Sequence, residues 1–212
     1  ALYDARNRFR VLLLGDVPLP PRKVTQLDLG NRTSATGETV RIYVDVLSGE
    51  EHVGWEDYAD QLVIAALQEL RSGDCGEALR YVEELEEMWS GVGFEDVVYR
   101  KDGKFETYKL SLYYFLARAL GIRTPIAEWI EENIGRFAKG GGIVTHYYGN
   151  LTLSGDPNVE TAVITALAFF SDYPEKLRLH AERLCTDPQS PPLSIVAVVV
   201  ILAWGRCWPR QR

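Results

Sequence analysis

"GGGIVTHYYGNLTLSGDPNVETAVITALAFF" runs from Gly140 to Phe170. Three glycines lead into a polar, aromatic loop, and the loop feeds a segment whose apolar residues recur at helical spacing. The stretch decides the fold because it has a counterpart upstream. "GVGFEDVVY", Gly91 to Tyr99, aligns on "GGGIVTHYY", Gly140 to Tyr148, without a gap. Gly91 falls on Gly140, Gly93 on Gly142, Phe94 on Ile143 and Tyr99 on Tyr148. Downstream, each copy reaches a Glu-Thr step, Glu106-Thr107 and Glu160-Thr161. Both continue with matched positions, Leu110 with Ile164 and Ser111 with Thr165. "YADQLVIAAL" from Tyr58 reads as a weaker first copy. The period of about 50 residues is that of stacked supersecondary units.

Working outward, the helical period extends from Trp55. "EDYADQLVIAALQELRSGD" sets Tyr58, Leu62, Ala65, Ala66 and Leu70 on one face, and Gly73 stops it. "CGEALRYVEELEEMWSG" turns Ala78, Leu79, Val82, Leu85 and Trp89 inward and glutamates outward. "KFETYKLSLYYFLARALG" is apolar nearly all round and reads as buried. "TPIAEWIEENIGRFA" opens with Thr124 as N-cap and Pro125 in the first turn. Asp156 and Pro157 open the next helix in the same way. "YPEKLRLHAERL" is a sixth, and the tail from Pro192 a seventh. Inner helices therefore start near Tyr58, Glu106 and Glu160, and outer, more charged helices near Cys75, Thr124 and Tyr173.

The first residues differ. "RFRVLLLG" is a short apolar run ending in Gly15, and "VRIYVDV" alternates as a half-buried strand. "DVPLPPRK" and "GNRTSATGE" have turn composition. The expected fold is mainly α: an α/α-hairpin array of about three hairpins, a partial toroid, with a small N-terminal β arm or sheet. The expected division is 1–54 for the arm, 55–190 for the hairpin repeats and 191–212 for an apolar C-terminal segment.

Bulk numbers narrow the function. The 212 residues suffice for one domain with a sizeable core, or for one domain and a small appendage. Net charge is −7, and the only concentrated basic group is Arg206, Arg210 and Arg212, so a nucleic-acid partner is not expected. Cys75, Cys185 and Cys207 form no CxxC and no metal-type spacing with His52, His146 or His180, so neither metal nor cofactor is expected. One disulfide with a free thiol, or three free thiols, both fit. The chain begins at Ala1 with no signal-peptide pattern, which reads as a leader removed or never present. Sequons at Asn31 and Asn150 lie in loop-like sequence and are candidate glycosylation sites of an extracellular or cell-surface protein. One Met and many charged helix-surface residues point to a thermophile. The apolar run Ile195 to Trp204 is roughly half of the ~20 residues that span a membrane. It is read as a segment packed on the domain or at an interface, with membrane association through its basic flank as the alternative.

The Gly-Gly-Ile/Phe lead-in followed by "ETAVITALAFF" resembles the repeats of α/α-toroid proteins. These include the six-hairpin glycosidase-like group and the terpenoid-cyclase and prenyltransferase toroids. The chain also resembles uncharacterised archaeal extracellular proteins whose helices carry "ADLL…AAL", "YKLAL" and "ETTAL". The resemblance covers about Trp55 to Leu184. It implies a toroidal scaffold. The acidic DxDD and DDxxD motifs of the cyclases are absent from the sequence, as is the Asp, Cys and His zinc set of the prenyltransferases. The six-hairpin enzymes carry twice as many hairpins as are visible here.

In a toroid the N-termini of the inner helices ring one end of a central funnel, where they favour anionic or polar ligand groups. That places Asp57, Asp60, Asp96, Tyr108, Lys109, Thr145, His146, Tyr147, Asp156 and Asn158 near one rim, together with Glu106 and Glu160. Glu106 and Glu160 are the best pair for glycoside chemistry, one as acid and one as base or nucleophile. Trp55, Trp89, Tyr108 and Tyr147 could stack on sugars. Each residue also has a structural reading. Asp57 and Asp156 suit N-caps, and Glu106 and Glu160 suit first turns. Lys109 pairs with Glu106 three residues back. His146 is either a general base or an ordinary loop histidine. Two functions follow. The favoured one is a non-catalytic extracellular or cell-surface module that self-assembles, as a homo-oligomer or surface assembly, or binds a partner. The alternative is a glycan-active or glycan-binding protein using the acidic, aromatic rim.

Overall fold

Before residue 55, where strand-like alternation is expected, the computed structural model is β-stranded with one exception; after it, helices are interleaved with short strands. The structure describes residues 5–17, 19–33, 35, 37 and 39–185. The protein is mainly α with small antiparallel sheets. In chain order come α1 (Ala5–Leu12), β1 (Arg22–Thr33), β2 (Thr39–Glu51), α2 (Ala59–Ser72), α3 (Cys75–Glu87) and α4 (Val97–Asp102). Then follow β3 (Phe105–Glu106), α5 (Thr107–Leu120), α6 (Pro125–Asn133), β4 (Ala138–Lys139), β5 (Gly142–Tyr147), β6 (Leu153–Pro157), α7 (Val159–Phe170) and α8 (Tyr173–Cys185).

The exception is α1. The apolar run near the start, expected within the β arm, is helical. Arg8, Val11 and Leu12 are buried at i, i+3 and i+4, the spacing of one helix face, and α1 packs on α2 and α7. Three consecutive leucines hide that period from a reading based on apolar runs. Only β1 and β2 make an arm. They form a two-stranded antiparallel ribbon with Thr25 opposite Val46 and Leu27 opposite Val44. Val44 and Val46 were expected on a half-buried strand, but both are exposed, as are Leu27 and Leu29.

α5 lies between α2 and α7 and packs on both. Its all-round apolar surface is the reason: Leu110, Leu112, Phe115 and Leu116 are buried with Leu62, Ile64 and Leu67 of α2 and Ile164 and Ala168 of α7. Ser111 and Thr165, matched in the two sequence copies, touch across α5 and α7 through a 2.8 Å hydroxyl hydrogen bond. Asp74 starts α3 by accepting the Glu77 N–H at 3.0 Å. Thr124 does the same for α6, accepting from Ala127 at 3.1 Å, with Pro125 at the first helical position.

α8 lies across the C-terminal ends of α5 and α2. Glu175 meets Arg118 at 2.7 Å, Arg178 sits against Gly121, and Leu184 sits against Gly73. Pro174, Leu177 and Ala181 are its buried face. A disulfide between Cys75 and Cys185 ties the end of α8 to the start of α3, with Cα atoms 6.3 Å apart.

The Gly140 stretch is a sheet rather than a loop. β5 pairs with β3 (Phe105 opposite Tyr147, Glu106 opposite His146), with β4 and with β6, all antiparallel. The upstream copy is built differently, since residues 97–102 form α4. Gly93 is required by packing, because a Cβ there would collide with the Phe105 ring and lie 2.8 Å from the Tyr147 hydroxyl. The apolar segment 191–212, with its expected packing or membrane association, lies outside the described residues. No described helix is long and apolar enough to cross a membrane.

Candidate functional site

The starts of α2, α5 and α7 converge on β5 and α1, and enclose a cavity of about 210 Å³. α2 contributes Asp60 and Gln61, α5 and the strand before it contribute Tyr108 and Glu106, and α7 contributes Glu160 and Thr161 behind its cap Asn158. β5 adds Thr145 and His146, α4 adds Val98, and the chain entering α2 adds His52 and Tyr58. Arg8 reaches in from α1.

Two ion-pair systems organise the wall. Asp60, 4% exposed, accepts on Oδ2 from Arg8 Nη1 at 2.9 Å, Gln61 Nε2 at 3.2 Å and the Tyr108 hydroxyl at 3.3 Å. The same Arg8 donates to Glu160 Oε1 from Nη2 at 2.5 Å and Nε at 3.1 Å, and its guanidinium carbon lies 4.5 Å from the Tyr108 ring centre. Lys109, also 4% exposed, donates to Asp96 at 2.5 Å and pairs with Glu106. Asp96 is buried. It caps α4 by accepting from Val98 and Tyr99, and also accepts the Ala59 N–H at 3.2 Å. His146 Nε2 approaches Glu106 to 4.0 Å, and its Nδ1 lies 2.8 Å from the Thr145 hydroxyl.

Burial alone would push the Lys109 ammonium down. Asp60, Glu106 and Asp96 outweigh it and hold the lysine above its ordinary value. Burial opposes the charge on Arg8 as well, and is outweighed by the carboxylates of Asp60 and Glu160. Burial, and after it the Asp60 charge, pushes the Tyr108 phenol well above its usual range. Arg8 and Lys109 are therefore fixed cations and Tyr108 a fixed proton donor.

The structure brings together Asp60, Glu106, Tyr108, Thr145, His146, Asn158 and Glu160 on one wall, with Lys109 and Asp96 behind them. Three expected rim residues are elsewhere. Asp57 is exposed in a one-turn 3-10 helix and faces Arg100 at 3.6 Å, so it does not cap α2. Asp156 is exposed on β6, 3.8 Å from Lys139; the cap of α7 is Asn158, which accepts from Thr161 at 2.7 Å. Tyr147 is fully buried among Phe105 and Phe137 and donates to the Val92 carbonyl at 2.7 Å; Val144, three residues earlier, is buried as well, and the pairing of β5 with β6 is irregular between Val144 and His146. Trp55 packs on Tyr81 and Trp89 on Trp129, so neither offers a stacking face to the cavity. Asn31 lies exposed within β1 rather than in a loop, and Asn150 lies exposed beside the β5–β6 turn.

Glu106 occupies the N-cap position of α5 without capping it; its carboxylate goes to Lys109 instead. Arg8, His52, Tyr58, Gln61, Val98 and Thr161 were not foreseen. A charge beside the apolar residues of "RFRVLLLG" sets Arg8 apart in the sequence, but nothing local names its partners. Among the described residues no group of three or more His, Cys, Asp or Glu is arranged to hold a metal ion. Two buried atoms of wall residues, Gln61 Oε1 and His52 Nδ1, have no hydrogen-bond partner among the described residues.

The arrangement presents carboxylate acceptors held at fixed positions. Here Glu106 has Lys109 beside it and Glu160 has Arg8. Compared with protein-family models, with curated proteins and with solved structures, the chain matches none.

Proposed function

We propose that this chain is a non-catalytic binding module of the extracellular space or cell surface, and that its cavity takes one small polyhydroxylated ligand, a single sugar residue in size. The observation that carries the reading is the pinning of Asp60, Glu106 and Glu160 by Arg8 and Lys109 around one cavity. Carboxylates fixed in this way suit donation from ring hydroxyls, as charge-assisted hydrogen bonds do. A volume of about 210 Å³ lies between the ~150 Å³ that takes a benzene ring and the ~300 Å³ of drug-sized pockets. In this reading α2 with α3, α5 with α6 and α7 with α8 are successive hairpins of a partial α/α toroid, and the cavity is the mouth of its funnel. The Cys75–Cys185 disulfide supports an oxidising compartment.

The test is a heteronuclear NMR titration with a panel of monosaccharides, alongside chromatography of oligosaccharides incubated with the protein. Shifts clustered at residues 58–61, 106–109, 145–146 and 158–161, with no cleavage, are expected. No shift with any sugar, or cleavage that is lost in Glu106→Gln, overturns the reading.

Self-assembly is a second reading, favoured by two apolar surfaces. Leu27, Leu29, Val44 and Val46 are exposed on the ribbon, and Val159, Val163 and Phe170 on α7, with Phe170 87% exposed. Light scattering across a concentration series tests it, and a monomer at all concentrations removes it.

A further inference from the structure

We infer that the ligand of this cavity carries a protonated amine among its hydroxyls, as an amino sugar does. The inference rests on the reading of the cavity as a sugar-sized binding site and specifies the chemistry that it selects.

Charge is the first observation. Three carboxylates on the wall, Asp60, Glu106 and Glu160, and Asp96 behind it, stand against two cations, Arg8 on the wall and Lys109 behind it, with His52 and His146 as the other titratable nitrogen groups of the lining. Arg8 is shared between Asp60 and Glu160, and Lys109 between Asp96 and Glu106. The site therefore holds an excess of carboxylates, two of them, Asp60 and Asp96, buried where uncompensated anions are costly. An ammonium offsets that excess. A carboxylate or sulfate on the ligand adds to it.

Gln61 is the second. It is 7% exposed and stands on the cavity wall. Its amide nitrogen donates to Asp60 Oδ2, and this sets the amide so that the carbonyl oxygen is the free end. That oxygen is buried and has no hydrogen-bond partner among the described residues. Such a group accepts a proton donor and has nothing to offer an anion.

The third is the way the wall already treats a cation. Arg8 sits between two carboxylates and over the face of Tyr108. Carboxylates flanking an aromatic face form a cation-recognition arrangement, here satisfied by a residue of the chain itself. Glu106 Oε1, 4.0 Å from His146 Nε2, adds a further carboxylate oxygen to the same cavity lining.

Calorimetric titration of the intact chain at pH 6 with glucosamine, glucose, N-acetylglucosamine and glucuronate tests the inference. Glucosamine is expected to bind at least about tenfold more tightly than glucose, a difference of about 1.4 kcal/mol. N-acetylglucosamine, whose nitrogen is uncharged, is expected to behave as glucose, and glucuronate to give no heat. In Glu106→Gln and in Gln61→Leu the preference for glucosamine over glucose is expected to shrink, while circular dichroism shows each variant folded. Equal affinity for glucose and glucosamine overturns the amine and leaves the sugar site standing. Preference for glucuronate overturns the charge argument. No heat with any of the four overturns the inference, and the NMR panel then decides the sugar site separately.

Discussion

Arg8 and Glu160 stand 152 positions apart in the chain and are joined by two hydrogen bonds to a single carboxylate oxygen. The same guanidinium holds the buried Asp60. The first helix is thus fastened to the last third of the domain and to its centre by one side chain. Arg8→Ala takes from the buried Asp60 the cation it is hydrogen-bonded to and leaves it only the more distant Lys109, and is expected to cost about 3–5 kcal/mol in urea unfolding. Arg8→Met with Asp60→Leu, which removes both charges, is expected to recover most of that loss. If Arg8→Ala alone is as stable as the native chain, α1 is not anchored in this way.

Alkaline pH is expected to weaken the fold. The folded pKa of Lys109 is raised, so its contribution is complete below the unfolded lysine value near ~10.4 and fades as pH rises through the folded value. Tyr108 is also raised, so its contribution is complete below the unfolded value near ~10 and fades in the same direction. Stability measured between pH 9 and 12 should fall more steeply for the native chain than for Lys109→Met or Tyr108→Phe. Parallel curves would exclude these two groups as the cause.

The disulfide closes a sequence separation of 110 residues. Cys75→Ser is expected to lower stability by about 2–5 kcal/mol. Hydrogen exchange should then rise first in α8, whose end loses its tie to α3. Uniform loss of protection would show that α8 does not open separately.

At Gly93 any side chain meets the Phe105 ring and the Tyr147 hydroxyl. Gly93→Ala is expected to cost about 1–3 kcal/mol through overpacking, measured by thermal or urea unfolding. Gly91→Ala is a contrasting variant: nothing lies within 4 Å of its added carbon, but its φ of 97° strains the backbone instead.

Much of the helical order was legible because it depends on local period. Buried Leu62, Leu70, Val82 and Leu85 fall where the apolar spacing puts them. The acidic wall was partly legible for a related reason, since Asp60, Glu106 and Glu160 all sit at helix starts that the period locates. What stayed hidden depends on distant pairing. "GIVTHY" becomes a strand because Phe105 and Glu106 lie alongside it, and nothing within the stretch itself announces them. Tyr147 and His146 are adjacent, yet one is core and the other cavity wall, a division set by that pairing. Arg8 was invisible as a site residue because its partners lie 52 and 152 positions away.

Asp96 receives the amide of Ala59 at the start of α2, two amides at the start of α4, and the ammonium of Lys109 on α5. Three segments thus hang from one carboxylate. Fraying of any one loosens the carboxylate that the other two share, so this junction behind the cavity wall is expected to open as a single cooperative unit. Its amides would then share one exchange rate set by the whole junction, and a ligand held above it would meet a floor that is either intact or gone.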